Sequence, residues 1–269
     1  MRQAARVIKK ISTDEHGDVR GVTSVGDELF VLLDRSDNQL AVYSINDYQL
    51  LRHLDLPRFK PHDMTSCVRH RCLYMSDGDN RCIHRYHLAS SAISKWSVAD
   101  TPCGLSVTPG CECNLLVTCR GRPNKLVELS ADSGQCVREI ELQSDVVCPW
   151  HCVQLTTGQF VVCHGLRHDG PHRVCVVGDD GKVRLSYGGH CGSVAGHLNC
   201  PCRLAVDKDL QFIFVADYDN HRVVLLSPTL QFVRNVTGEL SCPGRLFYCQ
   251  TTRRLFVGHW GGGVTVFQL

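Results

Sequence analysis

The chain has 269 residues, of which 43% are hydrophobic, 21% charged and 7% aromatic, a composition that excludes disordered, collagenous and coiled-coil proteins. Lys+Arg 29 against Asp+Glu 27 leaves a formal charge of +2, too little to announce a nucleic-acid or membrane-surface binder. No apolar run approaches the roughly 20 residues that span a bilayer. The opening stretch MRQAARVIKKIS carries charges and no apolar core, so no secretory signal and no membrane partner are expected, and a cytoplasmic location is.

The first strand-like piece is Ala5–Ile11, left over before a repeat begins. From there one phrase recurs: Leu29-Phe30-Val31, Leu73-Tyr74-Met75, Leu115-Leu116-Val117, Phe160-Val161-Val162, Ile213-Phe214-Val215 and Leu255-Phe256-Val257. The middle residues 30, 74, 116, 161, 214 and 256 lie 42 to 53 apart. A period in the forties built from strands is the mark of a β-propeller blade. An apolar piece precedes each phrase (Met64–Val68, Leu105–Val107, Leu204–Val206), and a turn and third strand follow (Ile83–Tyr86, Leu126–Leu129, Val223–Leu226). No helical period survives for three turns. The long interval assigns an insertion to Tyr187–Asn199.

The residues after Phe256 and those before Phe30 together make one period. The last blade therefore lacks its outermost strand, and Ala5–Ile11 is the strand that can supply it. The predicted fold is an all-β, six-bladed β-propeller over residues 1–269, closed by an N-terminal strand that completes the last blade and hides two open sheet edges. The 17 cysteines are odd in number and scattered through apolar stretches, which predicts reduced, mainly buried thiols.

Pro201-Cys202-Arg203-Leu204-Ala205-Val206-Asp207 followed by Val215-Ala216-Asp217-Tyr218-Asp219-Asn220-His221-Arg222 resembles an NHL repeat, whose pattern is Pro-x-Gly, an apolar-Ala-Val-Asp strand, then Val-Ala-Asp-x-x-Asn-x-Arg. Blade five matches almost throughout. Blade two keeps Asp77 and Asn80, and blade one has Asp34 and Asn38 with one extra residue. The resemblance implies a recognition propeller similar to the C-terminal module of tripartite-motif (TRIM-NHL) ubiquitin ligases, which bind protein partners or single-stranded RNA. Asp217, Asn220 and Arg222 read as a local turn lock. Cys119, His164 and His259 replace the Asp in blades three, four and six, which leaves those loops to be explained otherwise.

Enzyme readings find little support. Some six-bladed propellers are lactonases holding calcium or lyases holding histidine-bound zinc, but Cys111-x-Cys113 and Cys200-x-Cys202 lack the paired Cys-x-x-Cys spacing of zinc sites. His62, His151 and His259 could face a central channel, yet from separate blades they would stand too far apart to share an ion. No nucleophile elbow is present, and Gly261-Gly262-Gly263 precedes no helix. No cofactor and no metal are expected, and a propeller enzyme is the third alternative.

The Pro-opened connections and the turns after the repeat phrase belong on one face. There blades three and four contribute Arg120, Arg122, Lys125, Arg167 and Arg173 against Asp169, with Trp150, His151, His168 and His172 adjoining. An exposed Trp beside Arg is a usual binding hot spot and a usual base-stacking platform. The predicted ligand-binding set is Arg120, Arg122, Lys125, Trp150, His151, Arg167, His168, Arg173, Arg203, Tyr218, Arg245 and Trp260. The histidines are expected to be partly charged near pH 6. The ligand is expected to be a protein or peptide bound by a monomeric propeller, with single-stranded RNA as the alternative.

Overall fold

The computed structural model describes residues 5–13, 17–34, 39–110, 112–165, 170–236 and 240–269. Blade one is β2 (Asp18–Val25), β3 (Glu28–Asp34), β4 (Gln39–Ser44) and β5 (Leu50–Asp55). Blade two is β6 (Pro61–Cys67), β7 (Cys72–Asp77), β8 (Cys82–His87) and β9 (Ile93–Ser97). Blade three runs through β10 (Thr101–Val107), β11 (Leu115–Arg120), β12 (Lys125–Leu129) and β13 (Cys136–Glu141), and blade four through β14 (Pro149–Gln154), β15 (Phe160–His164), β16 (His172–Val177) and β17 (Val183–Gly189). Blade five is β18 (Pro201–Val206), β19 (Ile213–Asp217), β20 (Arg222–Leu226) and β21 (Phe232–Val236). Blade six takes β22 (Pro243–Cys249), β23 (Arg254–His259) and β24 (Val264–Gln268), and its fourth strand is β1 (Arg6–Ile11).

Every pairing is antiparallel, and β1 closes the ring onto β24 with Ile11 opposite Val264 and Val7 opposite Phe267, as the split repeat requires. The second strand of each blade is an apolar run covered on both faces: β3, β7, β11, β15, β19 and β23 are buried almost throughout. The outermost strands, such as β5, face water. Hydrophobic clusters fill the gaps between neighbouring blades, as where Leu29 and Val31 of blade one meet Phe256 and Val266 of blade six. Each fully buried Leu, Ile or Phe contributes roughly 1.5–3 kcal/mol. Among the described residues no helix is long and apolar enough to cross a membrane. Most of the described cysteines are buried free thiols.

One irregularity recurs in every inner strand. The register slips by one residue between Pro61 and Asp63, Pro102 and Gly104, Pro149 and His151, Pro201 and Arg203, Pro243 and Arg245, and between Val19 and Gly21. The extra residues are therefore Arg20, His62, Cys103, Trp150, Cys202 and Gly244, one β-bulge per blade, and a bulge re-aims the side chains around it. Gly104 is required where it stands: a Cβ there would meet the Trp150 carbonyl oxygen at 2.5 Å.

The turn lock of blade five has a wider reach than its own turn. Arg222 Nε and Asn220 Nδ2 donate to Asp217 Oδ2 (2.7 and 2.8 Å), while Arg222 also donates to the carbonyls of Ser193 and His197. The backbone N–H of Asn199 donates to Asp217 Oδ1 (2.6 Å). The lock thus pins the inserted connection, whose Leu198 is fully buried. In blade one Asp34 binds Arg20 instead, and Asn38 lies outside the described residues. The three replaced positions point inward: His164 Nε2 lies 3.3 Å from Cys175 Sγ, His259 meets Thr265 Oγ1 and the Ser241 carbonyl, and Cys119 is buried.

Deleting residues 1–11 should bare the β24 edge and the Val264–Phe267 face that β1 covers. The expected result in thermal denaturation is a fall of at least about 5 °C with self-association on size exclusion.

Candidate functional site

The six bulges converge on the axis. At the centre sits Asp63, whose Oδ2 accepts the backbone N–H of Leu105 (2.9 Å). Arg203 Nε and Arg245 Nε lie 3.4 and 3.8 Å from Asp63 Oδ1. Both guanidinia also donate to the His62 carbonyl, Arg203 at 2.8 Å and Arg245 at 2.6 Å. Arg203 Nη1 donates to the Cys202 carbonyl, Arg245 Nη1 to that of Gly244, and Arg245 Nε to that of Arg20. The accepting carbonyls all belong to bulge residues, which a regular ladder leaves short of partners. His151 closes the ring by donating from Nε2 to the Leu105 carbonyl (3.0 Å). Each blade gives at least one group to this plug.

The plug holds two cations against one carboxylate. Burial, and Arg203 beside it, push Arg245 below the usual arginine range. Burial drives His151 down to about 4, with Asp63 opposing and Arg203 assisting, so it is neutral at pH 6 rather than partly charged. His172 is fully buried and its Nδ1 accepts the Cys200 N–H (2.6 Å), so it too is a structural imidazole rather than an open cation.

Two cavities flank the plug. On the side of the prolines a 340 Å³ cavity is lined by Arg20, His62, Arg120, Trp150, Arg203, Tyr218, Arg245 and Trp260 together with Cys103, Cys200, Cys202 and Gly244. Among the described residues its lining has four arginines and no carboxylate. Arg120 lies over the Trp150 ring (3.6 Å to the centroid) and Arg20 over Trp260 (4.5 Å), with Tyr218 edge-on to Trp260 at 5.9 Å. Trp150 Nε1 donates to the Gly165 carbonyl (3.1 Å), which fixes the indole. The two pairs differ in charge. Arg20 is neutralised by Asp34 and Asp18. Arg120 donates from Nε to the Pro149 carbonyl, meets no carboxylate among the described residues, and keeps Nη2 sheltered without a hydrogen bond. The cavity on the other side, 180 Å³, is lined by hydroxyls such as Thr23, Ser66 and Ser106, by Phe247 and Tyr248, and by Lys208 together with the plug's own Asp63, His151, Arg203 and Arg245.

Of the sequence-predicted set, Arg120, Trp150, Arg203, Tyr218, Arg245 and Trp260 come together at this mouth, and His151 stands behind it in the plug. Lys125 pairs with Glu139 (2.9 Å) and Asp100, and Arg173 with Asp145, so neither is a free cation. Arg122 is exposed outside the cavity lining. Arg167 and His168 lie outside the described residues. The predicted set lacks Arg20, His62, Cys103 and Asp63. For His62 and Asp63 the signal is the Pro-x-polar pattern of Pro61-His62-Asp63, Pro149-Trp150-His151, Pro201-Cys202-Arg203 and Pro243-Gly244-Arg245, a polar residue two after the proline; Arg20 and Cys103 stand outside it. His62 lines the mouth, His151 the plug, and His259 is turned into blade six, so the three do not converge.

No family model and no curated protein matches the chain. Solved structures do. A streptogramin B lyase is 11% identical over 98% of this chain and 87% of its own, with a TM-score of 0.68. Hydrazine synthase of Kuenenia stuttgartiensis is 13% identical over 96% of this chain and 97% of its own (TM-score 0.69). A protein of unknown function from Bacteroides thetaiotaomicron is 12% identical over 98% and 75% (TM-score 0.73). The chain is a six-bladed β-propeller. Likeness at such identity carries the fold and no reaction.

Replacing Asp63 by Asn would leave two buried guanidinia without an anion. Denaturant unfolding should show a loss of about 3–5 kcal/mol.

His151 gives a pH dependence of definite sign. Its folded pKa of about 4 lies below the ordinary 6.5, so between those values the unfolded chain binds the proton and the native one does not. Stability is whole above about pH 6.5 and falls as the pH drops toward 4. Urea titrations at pH 7, 6, 5 and 4 should show this fall, and His151→Gln should make it shallower, part of the rest coming from His164, which burial also drives down to about 4.

Proposed function

We propose that the chain is a non-catalytic recognition propeller that captures a protein partner through an acidic group, a side-chain or terminal carboxylate, seated in the mouth over the plug. The single observation that carries this is Arg120: a guanidinium stacked on Trp150, lining the cavity, with no hydrogen bond at Nη2 and no carboxylate partner among the described residues. The floor beneath, Arg203 and Arg245 sharing one Asp63, has a cation to spare. A carboxylate forms charge-assisted, frequently bidentate bonds with such groups. With the Asp-x-x-Asn-x-Arg resemblance of blade five, this supports a cytoplasmic partner- or substrate-recognition domain similar to the propellers of TRIM-NHL ubiquitin ligases.

The mouth favours a peptide over single-stranded RNA. Base stacking needs an open aromatic face, and Arg120 and Arg20 already cover one face of each indole. A cavity of 340 Å³ suits one inserted side chain or chain end better than a run of nucleotides.

Peptides selected on the immobilised protein from a random display library should be enriched in Asp, Glu or a free C-terminus. Arg120→Gln, which removes the charge and keeps a polar, unbranched stem, and Trp150→Ala should each weaken a selected peptide by about 2 kcal/mol, close to 30-fold. A shallow salt dependence is expected. Peptides without acidic groups, or equal binding by both variants, would overturn the reading. Retention on single-stranded RNA that fades steeply with salt would replace it by the RNA alternative.

A further inference from the structure

The turn lock is rebuilt in blade two with different chemistry. Asp77 and Asn80 keep their places, but Cys82 stands where blade five has Arg222, and His84 where it has Val224, both fixed by the registers Asp77–Cys82 and Met75–His84 against Asp217–Arg222 and Val215–Val224. Cys82 lies directly across the hairpin from Asp77 and His84 two residues further along the same strand, so the pleat puts all three on one face. Their donor atoms converge: His84 Nε2 to Asp77 Oδ2 is 3.0 Å, Cys82 Sγ to His84 Nε2 3.7 Å, and Cys82 Sγ to Asp77 Oδ2 3.8 Å. All three residues are buried, at 0, 1 and 4% exposure, and Phe59 stacks on the His84 ring at 4.0 Å.

We propose that this cluster is a structural binding site for a zinc ion, with a water as fourth ligand. Zinc bonds of about 2.0–2.3 Å to N, O and S at tetrahedral angles put the ligand atoms roughly 3.3–3.6 Å apart. The three observed separations lie within a few tenths of an ångström of that. Thiolate, imidazole and carboxylate together are a donor set zinc takes and calcium or magnesium does not. The charges also balance. In blade five the buried Asp217 is offset by Arg222, whereas blade two has lost that arginine. A divalent ion with one thiolate, one carboxylate and a neutral imidazole is electrically neutral, the condition a buried ionic group needs. On binding, the Cys82 thiol proton leaves to solvent, and the His84 proton moves from Nε2 to Nδ1, leaving Nε2 free to coordinate.

The test uses the reduced full chain and Co²⁺ as a spectroscopic probe, then Zn²⁺. One equivalent of Co²⁺ should give a thiolate-to-metal charge-transfer band and the visible bands of tetrahedral cobalt, and Zn²⁺ should bleach them and raise the melting temperature. Cys82→Ser should lose the charge-transfer band. The double variant Cys82→Arg with His84→Val rebuilds the blade-five lock, so it keeps a partner for Asp77 and folds; it should lose one equivalent of metal and the zinc-dependent rise in melting. The other cysteines are common to parent and variants and cancel in the difference. Equal cobalt spectra in parent and double variant, or no thiolate band in the parent, would overturn the site.

Discussion

The structure turns on one carboxylate. Asp63 sits on the axis of the ring, and around it Arg203, Arg245, His151, Leu105 and the carbonyls of His62 and Arg20 bring every blade into one hydrogen-bonded plug. A propeller's inner strands would otherwise leave an open, wet shaft. Here the shaft is blocked by charge that has been taken out of water, and such charge is tolerated only when its donors and acceptors are used. The bulges make that possible. Four of the six, at Arg20, His62, Cys202 and Gly244, present a carbonyl where a guanidinium reaches it, and the arginines spend their extra donors there. Backbone irregularity and buried charge therefore explain one another.

The plug also makes the two ends of the ring unlike. Arg203 and Arg245 reach both sides, but only one side adds Arg20, Arg120 and two indoles, while the other adds hydroxyls such as Thr23, Ser66 and Ser106. On the arginine side the aromatic groups are held in place: Trp150 by its bond to the Gly165 carbonyl, Trp260 between Arg20 and Tyr218. A mouth arranged this way is ready before a ligand arrives, which reduces the ordering cost of binding. Its cation–π pairs keep positive charge at the rim that water alone would disperse.

Much of the ring was legible in the sequence. The recurring apolar phrase marked the second strand of every blade, and the split last period called for β1 on β24, because strands with two covered faces leave an unmistakable apolar run. The prolines marked the site face, and Trp150, Arg203 and Arg245 fell within it. The one-residue slip after each proline was not legible, because a bulge is a property of two strands and needs the partner's register. The predicted binding set omits Arg20, His62, Cys103 and Asp63 for that reason, although in sequence His62 reads as able to face the channel. The charge count of blades three and four failed on the same ground: Glu139 and Asp145, which pair with Lys125 and Arg173, come from segments that linear reading placed elsewhere. In sequence His151 reads as open to titration because it follows Trp150 in a Pro-opened connection; burial, which neutralises it, comes from blades two, three and five.

The sheet that joins β1 to β24 has a consequence for how the molecule comes into being. Its partners are separated by more of the chain than any other pair, so theirs is the contact with the largest loop to close. As the polypeptide grows from the ribosome, β1 must wait, unpaired, while five blades are made beside it. Arg245 arrives in that same last blade, so the final edge and the second guanidinium of the axis fall into place together. Birth of the ring is thus a single late event, in which a half-charged hub and a half-built sheet complete each other.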